Sequence, residues 1–205
     1  MKKLYLLIFG IIFFSGIGKI NAQFGVDLSY IGPVGRSAYL LKPAVGIDAR
    51  FVSGDMDSKL RGCFSLGYYG FTPTQDTFPT VTLESGGAYA LIPGHEVIKS
   101  YGVVPIGFGV EYRPLKTKLS PVFGLEGYFY VIDISYHSDV QNVIDEDNET
   151  TEWEFAIMPK IGLSYKLNDK WLVSARIGYS LGIAGTVDTQ SYWKTSFGFT
   201  YYPNN

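Results

Sequence analysis

The chain has 205 residues, 46% hydrophobic and only 18% charged, with 24 glycines and 16% aromatics. Its 17 Lys+Arg against 19 Asp+Glu exclude a basic nucleic-acid footprint, and the hydrophobic content excludes a disordered chain. One Cys leaves neither an intramolecular disulfide nor a cysteine-rich zinc module, and the length suits a single domain.

Residues 1–22 (MKKLYLLIFGIIFFSGIGKINA) have the make-up of a secretory signal peptide. Lys2 and Lys3 supply the positive start, Leu4 to Ile17 the apolar stretch, and Ala22 the small residue before the cut. The apolar run is short of the ~20 residues a membrane helix needs. Cleavage near Ala22 is expected to leave a single domain, residues 23–205.

From Gln23 onward the chain alternates with period 2, the mark of strands with two unlike faces. The first segment, about 23–31, puts Phe24, Val26, Leu28 and Tyr30 on one side. Segments near 40–52 and 60–72 do so with Val45, Ile47, Ala49 and Phe51, then Phe64, Leu66 and Tyr68. Next come 100–113, with Val104, Ile106, Phe108, Val110 and Tyr112, and 120–136, with Phe123, Leu125, Phe129 and Val131. This fifth segment changes phase near Tyr130–Ile134, which suggests a bulge or an extension beyond a membrane. Trp153, Phe155, Ile157, Ile161, Leu163 and Tyr165 mark the sixth. The seventh runs from Trp171 to Ile183, and the eighth carries Trp193, Thr195, Phe197, Phe199 and Tyr201. Eight strands of about 9–13 residues match tilted membrane-crossing strands.

The connections alternate too. Short turns are expected at 53–59, 114–118 and 167–170, and longer loops at 32–39, 73–99, 137–152 and 184–191. Outer-membrane barrels pair short periplasmic turns with longer external loops. Pro105 and Pro159 fall mid-strand and imply either a bulge or a shifted register, since proline donates no ladder bond.

The polar face decides which side meets lipid. A soluble, lipocalin-like barrel would put the apolar set inside and show water a surface of Lys, Glu, Thr and Gln. Here the polar set is mostly Gly and Ser with isolated charges, which suits the narrow interior of an eight-stranded barrel. Those charges balance: Asp27, Asp48, Glu111, Glu126 and Glu154 against Arg50, Arg61, Lys160, Arg176 and Lys194. Unpaired buried charges are costly, so a matched set predicts a paired network plugging the lumen. Trp153, Tyr165, Trp171, Trp193 and Tyr201, with Tyr202, are candidates for the aromatic girdles at the two membrane surfaces.

The leader, the eight alternating segments, the turn–loop rhythm and the aromatic ending YWKTSFGFTYY resemble the small eight-stranded outer-membrane barrels of the OmpA/OmpX type. The ending INAQ of the leader region and the Gly/Tyr-rich strands resemble the Bacteroidetes-type outer-membrane β-barrel domain proteins. The resemblance covers about Gln23 to Tyr202 and rests on architecture, without a diagnostic motif. It implies an all-β, antiparallel up-and-down transmembrane β-barrel in the outer membrane of a Gram-negative cell. It further implies contact with outer-membrane lipid and lipopolysaccharide, and with the barrel-assembly machinery during biogenesis.

Residues that could carry chemistry are few. His137 stands beside Ser138, with Asp133 and Asp139 near, as a lipid-modifying enzyme would need. Adjacent strand residues point to opposite faces, however, which separates a nucleophile from its base. The acidic run Asp145 to Glu149 offers oxygen ligands for a divalent cation, but it lacks a full calcium-loop pattern and suits a solvated loop tip. The expected site residues are therefore non-catalytic, with no metal and no cofactor. The loop 73–99 holds Phe78, Val81, Leu83, Tyr89, Leu91 and Ile92, more apolar than an idle tip, and is the expected interaction surface. The leading expectation is a plugged, non-enzymatic barrel with a structural or interaction role, such as that of an accessory subunit meeting an envelope protein partner. A narrow channel or carrier, and a lipid-A-modifying enzyme, are its rivals.

Overall fold

A computed structural model describes residues 23–35, 37–75, 77–82, 92–140, 144–186 and 190–203. The expected signal peptide lies outside the described residues. Among the described residues, nine strands and one short helix follow in order: β1 (Gln23–Val34), α1 (Ser37–Leu40), β2 (Ala44–Val52), β3 (Leu60–Phe71), β4 (Phe78–Thr82), β5 (Ile92–Tyr112), β6 (Leu119–Val140), β7 (Ile144–Lys166), β8 (Trp171–Gly185) and β9 (Ser191–Tyr201).

Apart from β3 and β4, which do not pair, each strand pairs antiparallel with the next in the chain; β1 also pairs with β9, and β3 with β5. Those pairings close an eight-stranded antiparallel up-and-down barrel, as the sequence predicted. The ninth strand, β4, lies outside the ring and pairs with the distal part of β5, from Phe78↔Glu96 to Thr82↔Ile92. Closure leaves no sheet edge in the ring, the condition for a strand fold to cross lipid. No helix among the described residues is long and apolar enough to cross a membrane.

The alternation is turned outward. On β1, Phe24, Val26, Leu28 and Tyr30 are exposed, while Asp27 and Ser29 are buried. On β9, Phe197 and Phe199 are about half exposed, and Lys194, Ser196 and Thr200 are buried. A soluble protein does not present such a continuous apolar belt; hydrocarbon is the solvent that suits it.

Both prolines sit in register. The β3–β5 ladder holds Leu66↔Ile106 and Tyr69↔Val103 but lacks the pairs between them, beside Pro105. The β7–β8 ladder lacks the pairs between Ile157↔Leu181 and Lys160↔Gly178, beside Pro159. The phase is the same on both sides of each gap, so neither expected alternative, bulge or shift, is present. Each proline instead opens its ladder on one flank and keeps its pair on the other, Pro105↔Tyr130 and Pro159↔Leu125. The register shifts lie elsewhere, between Ile98 and Ser100 and between Phe155 and Ala156.

The expected phase change in the fifth ring strand is also corrected. β6 keeps one register against β7 from Leu119 to Val140. Phe129 and Val131 stay outward, and Tyr128, Tyr130 and Ile132 point in. What changes there is the interior, which becomes apolar.

The described residues of two expected loops are largely strand. The stretch 73–99 contains β4 and the start of β5, and 137–152 contains the end of β6 and the start of β7. Strands β5, β6 and β7 run 21, 22 and 23 residues, against 9 to 15 for the other ring strands. Beyond the last β3 and β8 pairs, Phe71↔Tyr101 and Glu154↔Gly185, they continue without ring neighbours. This projecting sheet rises roughly 25 Å along the strands, at about 3.3 Å per residue. At the opposite end the turns are tight. Gly54 takes a left-handed φ of 96° between β2 and β3, and its carbonyl accepts a hydrogen bond from the Gln23 side chain.

Candidate functional site

The barrel interior is stacked in three layers. At the short-turn end Met56, Leu172 and Tyr202 form a small apolar floor. Tyr202 therefore points inward, where it accepts a hydrogen bond from Arg61, and it does not belong to a girdle. At the long-loop end Ile31, Phe71, Tyr101, Tyr130, Ile132 and Tyr192 belong to a larger apolar cluster. Tyr130 stacks on Tyr128 with ring centroids 5.5 Å apart, and Phe71 meets Tyr101 edge-on at 5.9 Å.

Between these layers lie the charges. Glu111, fully buried, is the hub. It pairs with Arg50, with Arg61 at 3.2 Å and with Arg176 Nε at 3.0 Å. Arg176 reaches on to Asp27 at 3.1 Å. Lys160 pairs with Glu126, which also accepts hydrogen bonds from Tyr128 at 2.6 Å and the Cys63 thiol at 3.0 Å. Lys194 pairs with Asp48 at 2.9 Å, and Asp48 also accepts from Ser29 and Tyr69 at 2.6 and 2.7 Å. All eight ring strands thus contribute to one layer because alternate residues of every strand face inward.

Nine of the ten expected lumen charges join this network. Glu154 is the exception. It is buried, but no ion pair reaches it among the described residues. It lies six residues along β7 from Lys160, roughly 20 Å at strand spacing, with Ala156 and Met158 facing inward between. Arg113 was not among the expected residues, yet it is 4% exposed and its guanidinium donates to the Met56 carbonyl at 2.6 Å. The signal was available: Arg113 continues the inward parity of Glu111 one step past the end of β5.

Small residues make the layer possible. A Cβ on Gly198 would fall on the Asp27 carboxylate, and one on Gly107 would lie 2.7 Å from the Tyr128 ring. The remaining space is slight. A void of about 10 Å³ lies between Arg50, Ser65, Lys160 and Arg176, room for one water-sized particle.

The aromatic residues expected at the membrane surfaces fall into two groups. Trp153 and Trp193 stand toward the long-loop end, and Tyr165, Trp171 and Tyr201 toward the turns. Trp171 packs on Tyr201 at 4.9 Å, and Trp193 on Tyr30 at 5.2 Å over the Cβ-free surface of Gly32. Trp193 and Tyr201 are eight steps apart on β9, about 20 Å of depth at the usual tilt.

The projecting sheet has a different character. Residues 132–152 hold Asp133, Asp139, Asp145, Glu146, Asp147, Glu149 and Glu152 and no Lys or Arg. The run Asp145 to Glu149, expected as a loop tip, is paired strand: Asp147 faces His137 and Glu149 faces Ser135. Asp147 accepts from Lys99 at 2.6 Å and bonds to His137 Nδ1 at 2.8 Å. The Lys99 bond, then the His137 bond, hold its carboxyl below the usual range. His137 is thus engaged by Asp147, while Ser138 is buried on the other face of β6. No group of three His, Cys, Asp or Glu among the described residues is arranged to hold a metal ion. Of the expected interaction surface, Phe78 and Val81 lie on β4 and Ile92 on β5, while Leu83, Tyr89 and Leu91 lie outside the described residues.

No family model matches the sequence, and no curated protein matches it. Solved structures do match. Neisserial surface protein A aligns over 89% of this chain and 97% of its own, at 14% identity and a TM-score of 0.53. A major outer membrane protein from Thermus thermophilus aligns over 88% and 98%, at 13% identity and a TM-score of 0.50. The fold is that of the small outer-membrane barrels. The resemblance to that architecture read from the sequence holds; the Bacteroidetes-type likeness is not addressed by these matches.

Proposed function

We propose that this chain is a non-catalytic outer-membrane barrel with a closed lumen, and that its work is done outside the membrane by the sheet built from β4–β7. The observation that carries this reading is the contrast between a filled interior and strands that continue beyond the ring. Nine charges and two apolar layers occupy the lumen, while β5, β6 and β7 extend into water. A narrow channel would need a continuous polar path, and Tyr130, Ile132, Phe71 and Tyr192 cross its route.

The charge of the sheet favours a basic protein partner of the envelope. Lipopolysaccharide is itself anionic, so contact with these strands would run through bridging cations, whereas the outward apolar belt meets its acyl chains directly. An accessory role beside a larger envelope complex fits such a surface.

Planar-bilayer recording tests the closed lumen. The expected result is an insertion that gives no stable single-channel steps. Sizeable stable openings would sink this reading and favour the channel alternative. For the lipid-A-modifying rival, mass spectra of lipid A from a deletion strain and a His137→Ala strain are expected to match the parent.

A further inference from the structure

The charge layer contains more than its pairs explain. Five cations, Arg50, Arg61, Lys160, Arg176 and Lys194, share it with four carboxylates, Asp27, Asp48, Glu111 and Glu126. The fifth carboxylate, Glu154, is too distant to balance it, and Arg113 adds a further buried cation near the floor. The layer is left with an excess of positive charge in an interior where uncompensated charge costs several kcal/mol.

That excess converges on one place. The void beside Arg50 is lined by Arg50, Lys160, Arg176 and Lys194 and by only two carboxylates. Both carboxylates are already committed, Asp27 to Arg176, and Asp48 to Lys194, Ser29 and Tyr69. The donors are not. Arg50 Nε and Nη1 and the Ser65 hydroxyl make no hydrogen bond, although Arg50 is 1% exposed and Ser65 6% exposed. Buried donors of this kind almost always have a partner, and these border a space the size of one small particle.

We propose that this void is a binding site for a single small monovalent anion of the size and charge of chloride. Arg50 and Ser65 donate to it, and Lys160, Arg176 and Lys194 supply the field. A neutral water would satisfy the donors but leave the charge excess standing, whereas a halide answers both. The ion is captured as the strands close, so the site acts as a structural counter-ion of the folded barrel.

Crystals of the full mature barrel grown in sodium bromide provide the direct test. The expected result is one anomalous bromine peak between Arg50 and Ser65; a peak-free void with water-level density overturns the proposal. In detergent, protein refolded in chloride is expected to unfold roughly 3–5 °C higher than protein refolded in gluconate at equal ionic strength. Equal midpoints overturn it. Ser65→Ala removes only a hydroxyl and keeps the ion pairs, so the variant is expected to fold. Its apparent halide affinity is expected to fall at least threefold, and an unchanged affinity overturns the assignment of this site.

Discussion

The ring and the projecting sheet are made from the same three strands, yet they obey different rules. Within the ring, β5, β6 and β7 show lipid an apolar face and turn Glu111, Glu126 and Lys160 inward, where each is held by a partner of opposite charge. Beyond it, both faces meet water, and acidic residues accumulate with few cations to answer them: Lys99 and His137 converge on Asp147. The difference lies in the solvent on each side of the strand. Inside, charge is structural; outside, it is surface.

Breaking the interior should therefore cost most. Glu111→Gln leaves Arg50, Arg61 and Arg176 without their shared counter-charge. It is expected to destabilise the barrel by about 3–5 kcal/mol, read as an earlier midpoint in urea or in heat-modified gel mobility. Crowding the same layer should cost somewhat less. Gly162→Val places a Cβ against the Ala175 carbonyl and 2.9 Å from Arg176 Cα, with an expected loss of about 1–3 kcal/mol in the same assay.

The projecting sheet should be separable. Replacing residues 137–147 with Asn-Gly keeps Tyr136 opposite Asn148 across a two-residue turn. The barrel's unfolding midpoint is expected to stay within about 0.5 kcal/mol of the parent; a larger fall would show that the sheet braces the ring. The smallest effect concerns Asp147. Its folded-state pKa is depressed, so the contribution of its contacts is present above the unfolded value of about 3.9 and is lost as pH falls through the folded value. In Lys99→Ala, its carboxyl titration followed by NMR should move up toward that ordinary value.

The same contrast explains what was legible in the sequence. Alternation records a difference between two faces, so β1, β8 and β9 could be read almost residue by residue. Where both faces meet water the difference disappears, and the tips of β5, β6 and β7 looked like loops. The apparent phase change at Tyr130 had a related cause, since there both faces are apolar. Parity placed nine charges in one layer, but it says nothing of height along the barrel, which is why Glu154 counted as a partner. Cross-strand register sets that height, and it depends on the lengths of turns such as 53–59 and 114–118 that alternation does not fix.

The two prolines give the barrel a mechanical grain. Pro105 interrupts the ladder between β3 and β5, and Pro159 the one between β7 and β8. The ladders they leave whole, β5–β6 and β6–β7, bind the three strands that extend beyond the ring. A pull on the external sheet is thus carried into the wall by a stiff three-strand plank with a softened seam on each side. Backbone amides flanking those seams should exchange sooner than those along β6, and force applied outside would part the wall there first.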